Sequence, residues 1–354
     1  SDLPIVVFHT MGGGDVAATA DQFMTMQVFD TKYGRSSPGQ RPDQAAQGIF
    51  HRRGQATFWN PKPNLRVETR DEFGDDLDVP LAGFPAESDW VVYGINQYDK
   101  VLMHNRLTHE LDREMGHYTS RTRFVEVYLV TDSGTAGPVT SSDYYGLYVL
   151  EEKIKIDNDR VDIDQLQPQN TNAPSVTGSY LLSVDKTKAG DPPQFYAADV
   201  WLTYVDPEYE EISARPAQQQ YISDYLNQFY AALYDPVNWT DPARGYAAYI
   251  DLDSWIDYHL HQTLVFNVDA LRISSYFYKP RGGKIVQGPL WDFDRAFGTR
   301  TGDDGRGFNP RRWRSGEMDG GTDMFNASGT FHNPWYSRLF TDPDFWQRWI
   351  DRYQ

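Results

Sequence analysis

Apolar positions in the second half of the chain recur with the period of a helix. Between residues 222 and 233 they fall three or four positions apart, which is typical of one face of an amphipathic helix. The same spacing predicts helices over about 253–266 and 344–353. The chain stops within the last of these, so we expect the sequence to be a fragment truncated at its C-terminus. Residues 299–334 are rich in Gly, Arg and Asp and predict a long loop.

The first half alternates with a period of two, which is typical of strands with one buried face. One helical stripe interrupts this pattern, because Leu102, Leu107, Leu111 and Met115 predict a helix that buries these side chains behind a cap at Asp99. The pattern therefore predicts a strand-rich first half and a mainly helical second half. The strand-like runs lie at residues 3–8, 24–29, 62–68, 89–93, 124–130 and 144–150.

Residues 265–298 carry two acidic clusters in a mostly apolar and aromatic segment. Asp269 forms the first cluster, and Asp292 and Asp294 form the second. Residues 275–287 between them predict a strand, a glycine-containing turn and a returning strand. Such a hairpin would bring its flanks together, so the two clusters can face one site. Carboxylates buried together need a counter-charge, and hard oxygen ligands suit Mg²⁺.

The alternative for each of these aspartates is an ordinary structural role. A single Asp at a strand end is usually a turn former or a helix cap. The argument for a site therefore depends on the pairing of two acidic clusters across one predicted hairpin.

A second candidate site lies where the strand-like run before residue 53 turns into the next. Arg53, Gly54 and Lys62 flank this turn. Guanidinium and ammonium groups bind phosphate oxygens, and a glycine lets the backbone approach them closely. Only nine of the 33 basic residues are lysines, so a role that needs a lysine has few candidates. The alternative is an exposed hairpin with ordinary surface charge.

Composition narrows the function classes. The 354 residues include no cysteine, which excludes disulfides, thiol catalysis and Cys-ligated zinc but is compatible with export. The formal net charge is −17, and no long basic run suggests nucleic-acid binding. No run of 18 uncharged apolar residues predicts a membrane span, and no signal peptide is seen.

A series of short motifs follows one another along the chain. They are Arg53-Gly54, Pro61-Lys62, Asp89-Trp90-Val91, Asp99-Lys100, GLYVLEEKI at 146–154, Asn267-Val268-Asp269 and PLWDFDRAFG at 289–298. In this order they resemble the CotH family of spore-coat kinase-like proteins. Matching pieces run from about residue 3 to the end of the chain, and the last motif is the most specific.

That family is similar to atypical protein kinases, so the resemblance implies an α+β, two-lobed protein-kinase-like fold that binds ATP between its lobes. It implies a β-rich N-lobe at residues 1–155, which binds nucleotide phosphates, and a mainly helical C-lobe at 156–354. The implied reaction transfers the γ-phosphate of ATP, with Mg²⁺ or Mn²⁺, to hydroxyl side chains of a secreted, coat or surface protein. The chain is then expected to be exported to the cell surface or spore coat.

The resemblance also implies roles for the basic and acidic residues of the first half. Lys62, with Arg53 and Gly54, corresponds to the group that holds the ATP phosphates. Glu152 corresponds either to the hinge beside the adenine or to the ion-pair partner of the lysine. Glu110 competes with Glu152 for that second role.

In the second half, the resemblance implies that Asp269 is the catalytic base and that Asp292 binds the metal. Ser274 stands five residues after Asp269, where protein kinases place a metal-binding Asn. We expect Asp294 to supply the missing ligand, because residues two apart in an extended segment point to the same side. The alternative is that Asp294 pairs with Arg295 and shapes the loop.

Three functions remain open at this point. The first is a CotH-type protein kinase, which the joint presence of Lys62, Asp269 and Asp292 favours. The second is a non-catalytic module for coat or surface assembly, or for adhesion, that keeps the fold without nucleotide binding. The third is a metal-dependent phosphoesterase that uses the same aspartates.

Overall fold

The chain has a mixed α+β fold made of two compact units. The first unit comprises Ser1–Arg106 and Ser120–Lys153, and the second comprises Leu107–Thr119 and Ile154–Gln354. The loop predicted at 299–334 lies almost wholly outside the described residues. The computed structural model describes residues 1–31, 34–54, 57–94, 98–132, 138–187, 190–298 and 333–354.

The first unit is built on a closed barrel of seven strands. In chain order, the strands of the whole unit are β1 (Ile5–His9), β2 (Gln22–Phe29), β3 (Gln44–Arg53), β4 (Asn64–Arg70), the short pair β5 (Val79–Pro80) and β6 (Ala86–Glu87), β7 (Asp89–Tyr93), β8 (Thr122–Val130) and β9 (Tyr144–Glu152). The order around the barrel is β1-β2-β3-β4-β7-β9-β8, and β5 pairs with β6 outside it. Neighbouring strands are antiparallel except β1 and β8, whose parallel pairing closes the barrel.

The alternating pattern of the sequence explains the barrel interior. Phe8, Met26, Val67, Trp90 and Tyr148 are all buried in one apolar cluster inside it. Each such side chain contributes about 1.5–3 kcal/mol by leaving water. The predicted strands at 124–130 and 144–150 are confirmed as the antiparallel pair β8 and β9.

Helix α1 (His104–Glu114) has its predicted cap but not its predicted buried face. Leu107 is 42% exposed and Met115 is 37% exposed, whereas His109 is fully buried. Leu102, which precedes the helix, is buried as the stripe predicts, but beyond it the apolar stripe is the wrong choice of buried face. Polar partners decide the orientation instead, since the buried Asp112 lies 3.1 Å from the imidazole of His261.

Asp99 caps the segment that leads into α1, as the sequence predicts. Its two carboxylate oxygens accept hydrogen bonds from the backbone N–H groups of Met103 and His104, each at 3.1 Å. These are donors that the first turn of a helix leaves without an intrahelical partner.

The second unit combines a five-stranded antiparallel sheet with helices. In chain order, the elements are β10 (Tyr180–Val184), β11 (Phe195–Ala197), β12 (Val200–Asp206), α2 (Tyr209–Ile212), α3 (Pro216–Leu233), α4 (Leu252–Leu264), β13 (Ser275–Lys279), β14 (Val286–Gln287), α5 (Pro334–Leu339) and α6 (Pro343–Tyr353). The strand order across the sheet is β11-β12-β10-β13-β14.

The predicted helical faces and the predicted hairpin are confirmed in this unit. Ile222 and Phe229 of α3 are buried in one large apolar cluster with Trp255 of α4, which Phe229 contacts directly. Strands β13 and β14 pair with Phe277 opposite Gln287. Within the described residues, no helix combines the length and apolar character that crossing a bilayer requires.

Candidate active site

The loop that follows α4 fixes the backbone of Asp269. Phe266 has a φ of 51°, so the chain leaves the helical path just after α4 ends. Asn267 then ties the loop to the helix, because its amide group donates to the side-chain carbonyl of Gln262 at 3.0 Å. The carbonyl oxygen of the Asn267 side chain accepts the N–H of Asp269 at 3.1 Å. The Asn-Val-Asp motif thus carries a positioning group as well as a carboxylate.

Two arginines hold the Asp269 carboxylate, which is 8% exposed. Arg272 donates from Nη2 to Oδ1 at 2.6 Å. Arg295 donates from Nη1 to both carboxylate oxygens at 3.1 Å. These pairs offset the free-energy cost of burying the charge.

The sequence reasoning missed both arginines as partners of Asp269. The position of Arg272 three residues further along the chain was an available signal. Arg295 lies 26 residues away and is brought close only by the hairpin between the two segments.

Ser274 and Asp292, which lie on the two flanks of the predicted hairpin, meet in the structure, and the expectation that Asp269 and Asp292 face one site stays a prediction. Ser274 immediately precedes β13, and its hydroxyl donates to Oδ2 of Asp292 at 3.3 Å. Both residues have positive φ, 51° for Ser274 and 62° for Asp292. A left-handed backbone costs a non-glycine residue about 1–2 kcal/mol, so the surrounding packing must hold both in place. The link between Arg295 and Asp269 joins the same two segments a second time.

The oxygen donors of this site fit a cation that completes its shell with water and phosphate. In the described part of the chain, no three His, Cys, Asp or Glu side chains are grouped closely enough to hold a metal ion. Mg²⁺ is usually bound through one or two carboxylates together with water and substrate phosphates. Asp292 and the Ser274 hydroxyl meet that lower requirement. Asp294 lies two residues after Asp292 and is also buried, and its role as a ligand stays a prediction.

In the first unit, the sequence predicts that Lys62 begins a strand, but the structure places it in the loop that leads into β4. The strand begins only at Asn64, because Pro63 has no N–H to donate to a ladder. The ammonium donates to the carbonyl of Leu147 and lies 4.4 Å from the centroid of the Tyr148 ring. Burial lowers the pKa of Lys62 to about 8.

A glycine opposite Lys62 makes room for this side chain. A Cβ atom at Gly146 would lie 2.9 Å from the Lys62 Nζ. The φ of Gly146 is +134°, which L side chains rarely adopt. Close packing and backbone conformation therefore both favour glycine in the GLYVLEEKI motif.

Arg53 and Gly54 lie at the end of the β3–β4 hairpin from which Lys62 extends. Arg53 is the last residue of β3 and pairs with Asn64 in the ladder. Gly54 follows with a φ of +99°, a left-handed conformation that glycine adopts without strain. The structure thus places Arg53, Gly54 and Lys62 around one turn, and phosphate binding there stays a prediction.

Glu152 is fully buried at the end of β9 and is ion-paired to Arg121. Its carboxylate accepts the backbone N–H and the Nε–H of Arg121, both at 2.9 Å. The competing candidate, Glu110, lies on the exposed side of α1 and accepts from Arg113 at 2.6 Å. The sequence reasoning missed Arg121 as a partner, and the expected role of Glu152 stays a prediction.

Comparison with known proteins identifies the family. No curated protein matches the chain. A family model described as CotH kinase protein matches residues 50–354, which is most of the chain. The matched range contains Lys62, Glu152, Asp269 and Asp292. The order of motifs therefore predicted the family correctly, and the chain belongs to the CotH kinase protein family.

Proposed function

We propose that this protein is a CotH-type atypical protein kinase. It transfers the γ-phosphate of ATP to hydroxyl side chains of a protein substrate and requires Mg²⁺ or Mn²⁺. The observation that carries the proposal is the hydrogen bond between Ser274 and Asp292, in a segment that also contacts Asp269 through Arg295. Membership of the CotH kinase family supports this chemistry.

The proposal assigns metal binding to Asp292 and the Ser274 hydroxyl, with Asp294 as a further ligand. Bound Mg²⁺ would neutralise charge on the phosphates of ATP. Asp294 is 6% exposed and lies two residues after Asp292. A nucleotide complex with Mg²⁺ tests the Asp294 assignment. An Asp294 oxygen about 2.0–2.2 Å from a metal supports it, and a carboxylate turned away from every metal contradicts it.

Asp269 is the proposed base for the acceptor hydroxyl. As the new bond between the acceptor oxygen and the γ-phosphorus forms, the bond from that phosphorus to the β–γ bridging oxygen breaks and ADP leaves. The acceptor proton passes to the Asp269 carboxylate. Arg272 and Arg295 keep that carboxylate in one orientation, and a general base must be held in the correct orientation to accept the proton.

The first unit supplies the proposed phosphate-binding group. Lys62, Arg53 and the backbone at Gly54 are the donors assigned to the ATP phosphates. Glu152, at the end of β9, is assigned to the hinge beside the adenine. These roles require a two-lobed protein-kinase-like fold with ATP bound between the lobes.

The proposed substrate is a secreted, coat or surface protein, and the chain itself is proposed to be exported. The absence of cysteine is compatible with that location. Fractionation of the producing cells, with detection in the medium or on the surface, tests it; retention inside the cell contradicts it.

The function is tested by a thermal-shift titration with ATP, with and without Mg²⁺ or Mn²⁺. A ligand that binds only the native state stabilises it by about 2.7 kcal/mol at a concentration of 100 Kd. We expect a rise in Tm that requires both ATP and metal. No shift at millimolar ATP and metal contradicts nucleotide binding and therefore the kinase assignment.

One observation favours a second candidate, a non-catalytic kinase-like module for surface or coat assembly or adhesion. Both oxygens of the Asp269 carboxylate accept from arginine, which leaves fewer lone pairs for an acceptor hydroxyl. Transfer of labelled phosphate from ATP to protein separates the two candidates. Nucleotide binding without any transfer favours the module.

A further inference from the structure

The buried ring of His109 on α1 contacts both neighbours of Asp292. Its ring centroid lies 6.5 Å from that of Trp291 in a stacked arrangement. It lies 6.4 Å from that of Phe293 at an interplanar angle of 86°. One imidazole therefore touches the side chains immediately before and immediately after Asp292.

Two contacts between a histidine and an aspartate fix the part of α1 that carries His109. Asp112 lies 3.1 Å from His261 of α4. His117, just beyond the end of α1, lies 2.9 Å from Asp257, also of α4. His109 is thus held on a helix anchored at two points, so its ring is a rigidly positioned packing surface for the aromatic side chains beside it.

The backbone conformation of Asp292 requires neighbouring side chains that are held in place. Its φ of 62° is unfavourable for a non-glycine residue and persists only where the surroundings hold it. Phe293 is fully buried in the core of the second unit, which holds the following residue. Trp291 packs at the edge of a separate small cluster with Tyr276. The His109 ring is a contact that these two side chains share.

We propose that His109 is a positioning residue for Asp292. By packing against Trp291 and Phe293, it holds the backbone between them in the left-handed conformation that turns the Asp292 carboxylate toward Ser274. Its effect on metal binding rests on the proposed kinase function, whereas its effect on the local backbone does not. Mutation of a group that orients a metal ligand typically lowers the metal affinity by about 10- to 100-fold.

Three variants test this role. His109→Ala removes the ring, and His109→Phe keeps an aromatic ring of similar width without the imidazole nitrogens. His259→Ala is the matched control, because His259 is also fully buried among aromatic rings but packs on Tyr336 and Phe340. A general loss of stability affects both alanine variants, whereas a positioning effect is confined to His109.

The first measurement is amide hydrogen exchange at residues 291–294 in the protein without nucleotide. We expect His109→Ala to accelerate exchange there, His109→Phe to restore protection, and His259→Ala to leave this segment unchanged relative to the rest of the second unit. Equal exchange at 291–294 in His109→Ala and the parent, each measured as folded protein, overturns the positioning role. This readout does not depend on any nucleotide being bound.

The second measurement is the Mg²⁺ concentration needed for half-maximal ATP binding. We expect His109→Ala to raise it by about 10- to 100-fold, with His109→Phe close to the parent. If the parent shows no metal-dependent ATP binding, the proposed function fails while the exchange result still decides the role of His109. If the parent binds and His109→Ala has an unchanged Mg²⁺ requirement, the link from His109 to the metal is wrong.

Discussion

Ser274 and Asp292 are 18 residues apart in the chain and meet through a hydrogen bond of 3.3 Å between Oγ and Oδ2. Each has a left-handed backbone, so two strained residues face each other across the β13–β14 hairpin. Strain of this kind is stored where a side chain must point in one direction. The direction in this case brings a hydroxyl and a carboxylate together.

Asp292→Asn is expected to weaken the binding of ATP in the presence of Mg²⁺ and to leave metal-free binding unchanged. It keeps the shape of the side chain but removes its charge, and interactions of charged groups contribute about 1.5–3 kcal/mol, or roughly 10- to 100-fold in affinity. Isothermal titration at several Mg²⁺ concentrations measures the effect. Ser274→Ala serves as the milder comparison, since it removes a neutral donor. An Asp292→Asn protein with the parental Mg²⁺ dependence would remove Asp292 from the site.

Asp269→Asn is expected to slow phosphate transfer by roughly 10²–10⁴-fold, the usual contribution of a general base, with little change in nucleotide affinity. The amide keeps the size of the side chain but cannot take the acceptor proton. Single-turnover transfer of labelled phosphate gives the rate. Asp251→Asn is the control, because Asp251 caps α4 through the N–H of Ser254 at 2.9 Å and should affect only stability. Transfer at the parental rate in the Asp269 variant contradicts its role as base.

Nucleotide affinity is expected to fall as the pH rises through about 8, because burial lowers the pKa of Lys62 to about 8. Above that pH the amine is neutral and attracts phosphate less. Lys62→Met should bind weakly at all pH values and lose this dependence. Titrations at pH 7 and pH 9 measure it, and a parent whose affinity is equal at both pH values excludes Lys62 as the phosphate-binding cation.

The same lowered pKa has opposite effects on nucleotide affinity and on folding stability as the pH rises. The folded state releases the Lys62 proton at a lower pH than the unfolded state, so the contribution of this residue is most favourable above pH 10.5 and is lost as the pH falls through about 8. At neutral pH, Lys62→Met is therefore expected to raise the free energy of unfolding. Denaturant titrations of both proteins at pH 7 test the sign; a less stable Lys62→Met protein contradicts it.

The pair of His117 and Asp257 is expected to make the second unit less stable as the pH rises above neutrality. A hydrogen bond to Asp257 raises the pKa of His117. Burial acts to raise the pKa of Asp257, but hydrogen bonds from His117 and Arg352 outweigh it and the pKa is lowered. The stability from a raised histidine pKa is fully present below about pH 6.5 and is lost as the pH passes the folded-state value.

His117 is partly exposed, so this contribution is expected to be below about 1 kcal/mol. Unfolding free energies of the parent and of His117→Gln between pH 6 and pH 8 measure it. The glutamine does not titrate, so the difference between the two proteins should shrink with rising pH. A constant difference across that range contradicts the assignment.

Local patterns predicted much of the fold. The period of 3.6 located α3, α4 and α6, and glycine turn residues located the β13–β14 hairpin. In these elements the side chains that pack are also the apolar ones, so the pattern and the core coincide. The hairpin in turn predicted that Asp292 lies close to the loop after α4.

The pattern failed where polar groups decide the packing. Helix α1 exposes Leu107 and buries His109 and Asp112, because its partners are the imidazole of His261 and the aromatic rings beside Asp292. Apolar periodicity carries no information about such partners. The Arg295 partner of Asp269 and the Arg121 partner of Glu152 escaped prediction because each depends on a contact between distant segments, whereas Arg272 lies only three residues after Asp269.

Because β1 pairs with β8, the barrel includes strands that precede the start of the family match. The family match begins at residue 50, inside β3, yet Ile5–His9 lie in register with Glu126–Val130. A chain started at residue 50 would lack β1, β2 and most of β3, and would expose the unpaired edges of β8 and β4 as templates for intermolecular strand addition. The segment matched by the family model, residues 50–354, is therefore shorter than the segment that closes the barrel. We expect a protein expressed from residue 50 onward to aggregate.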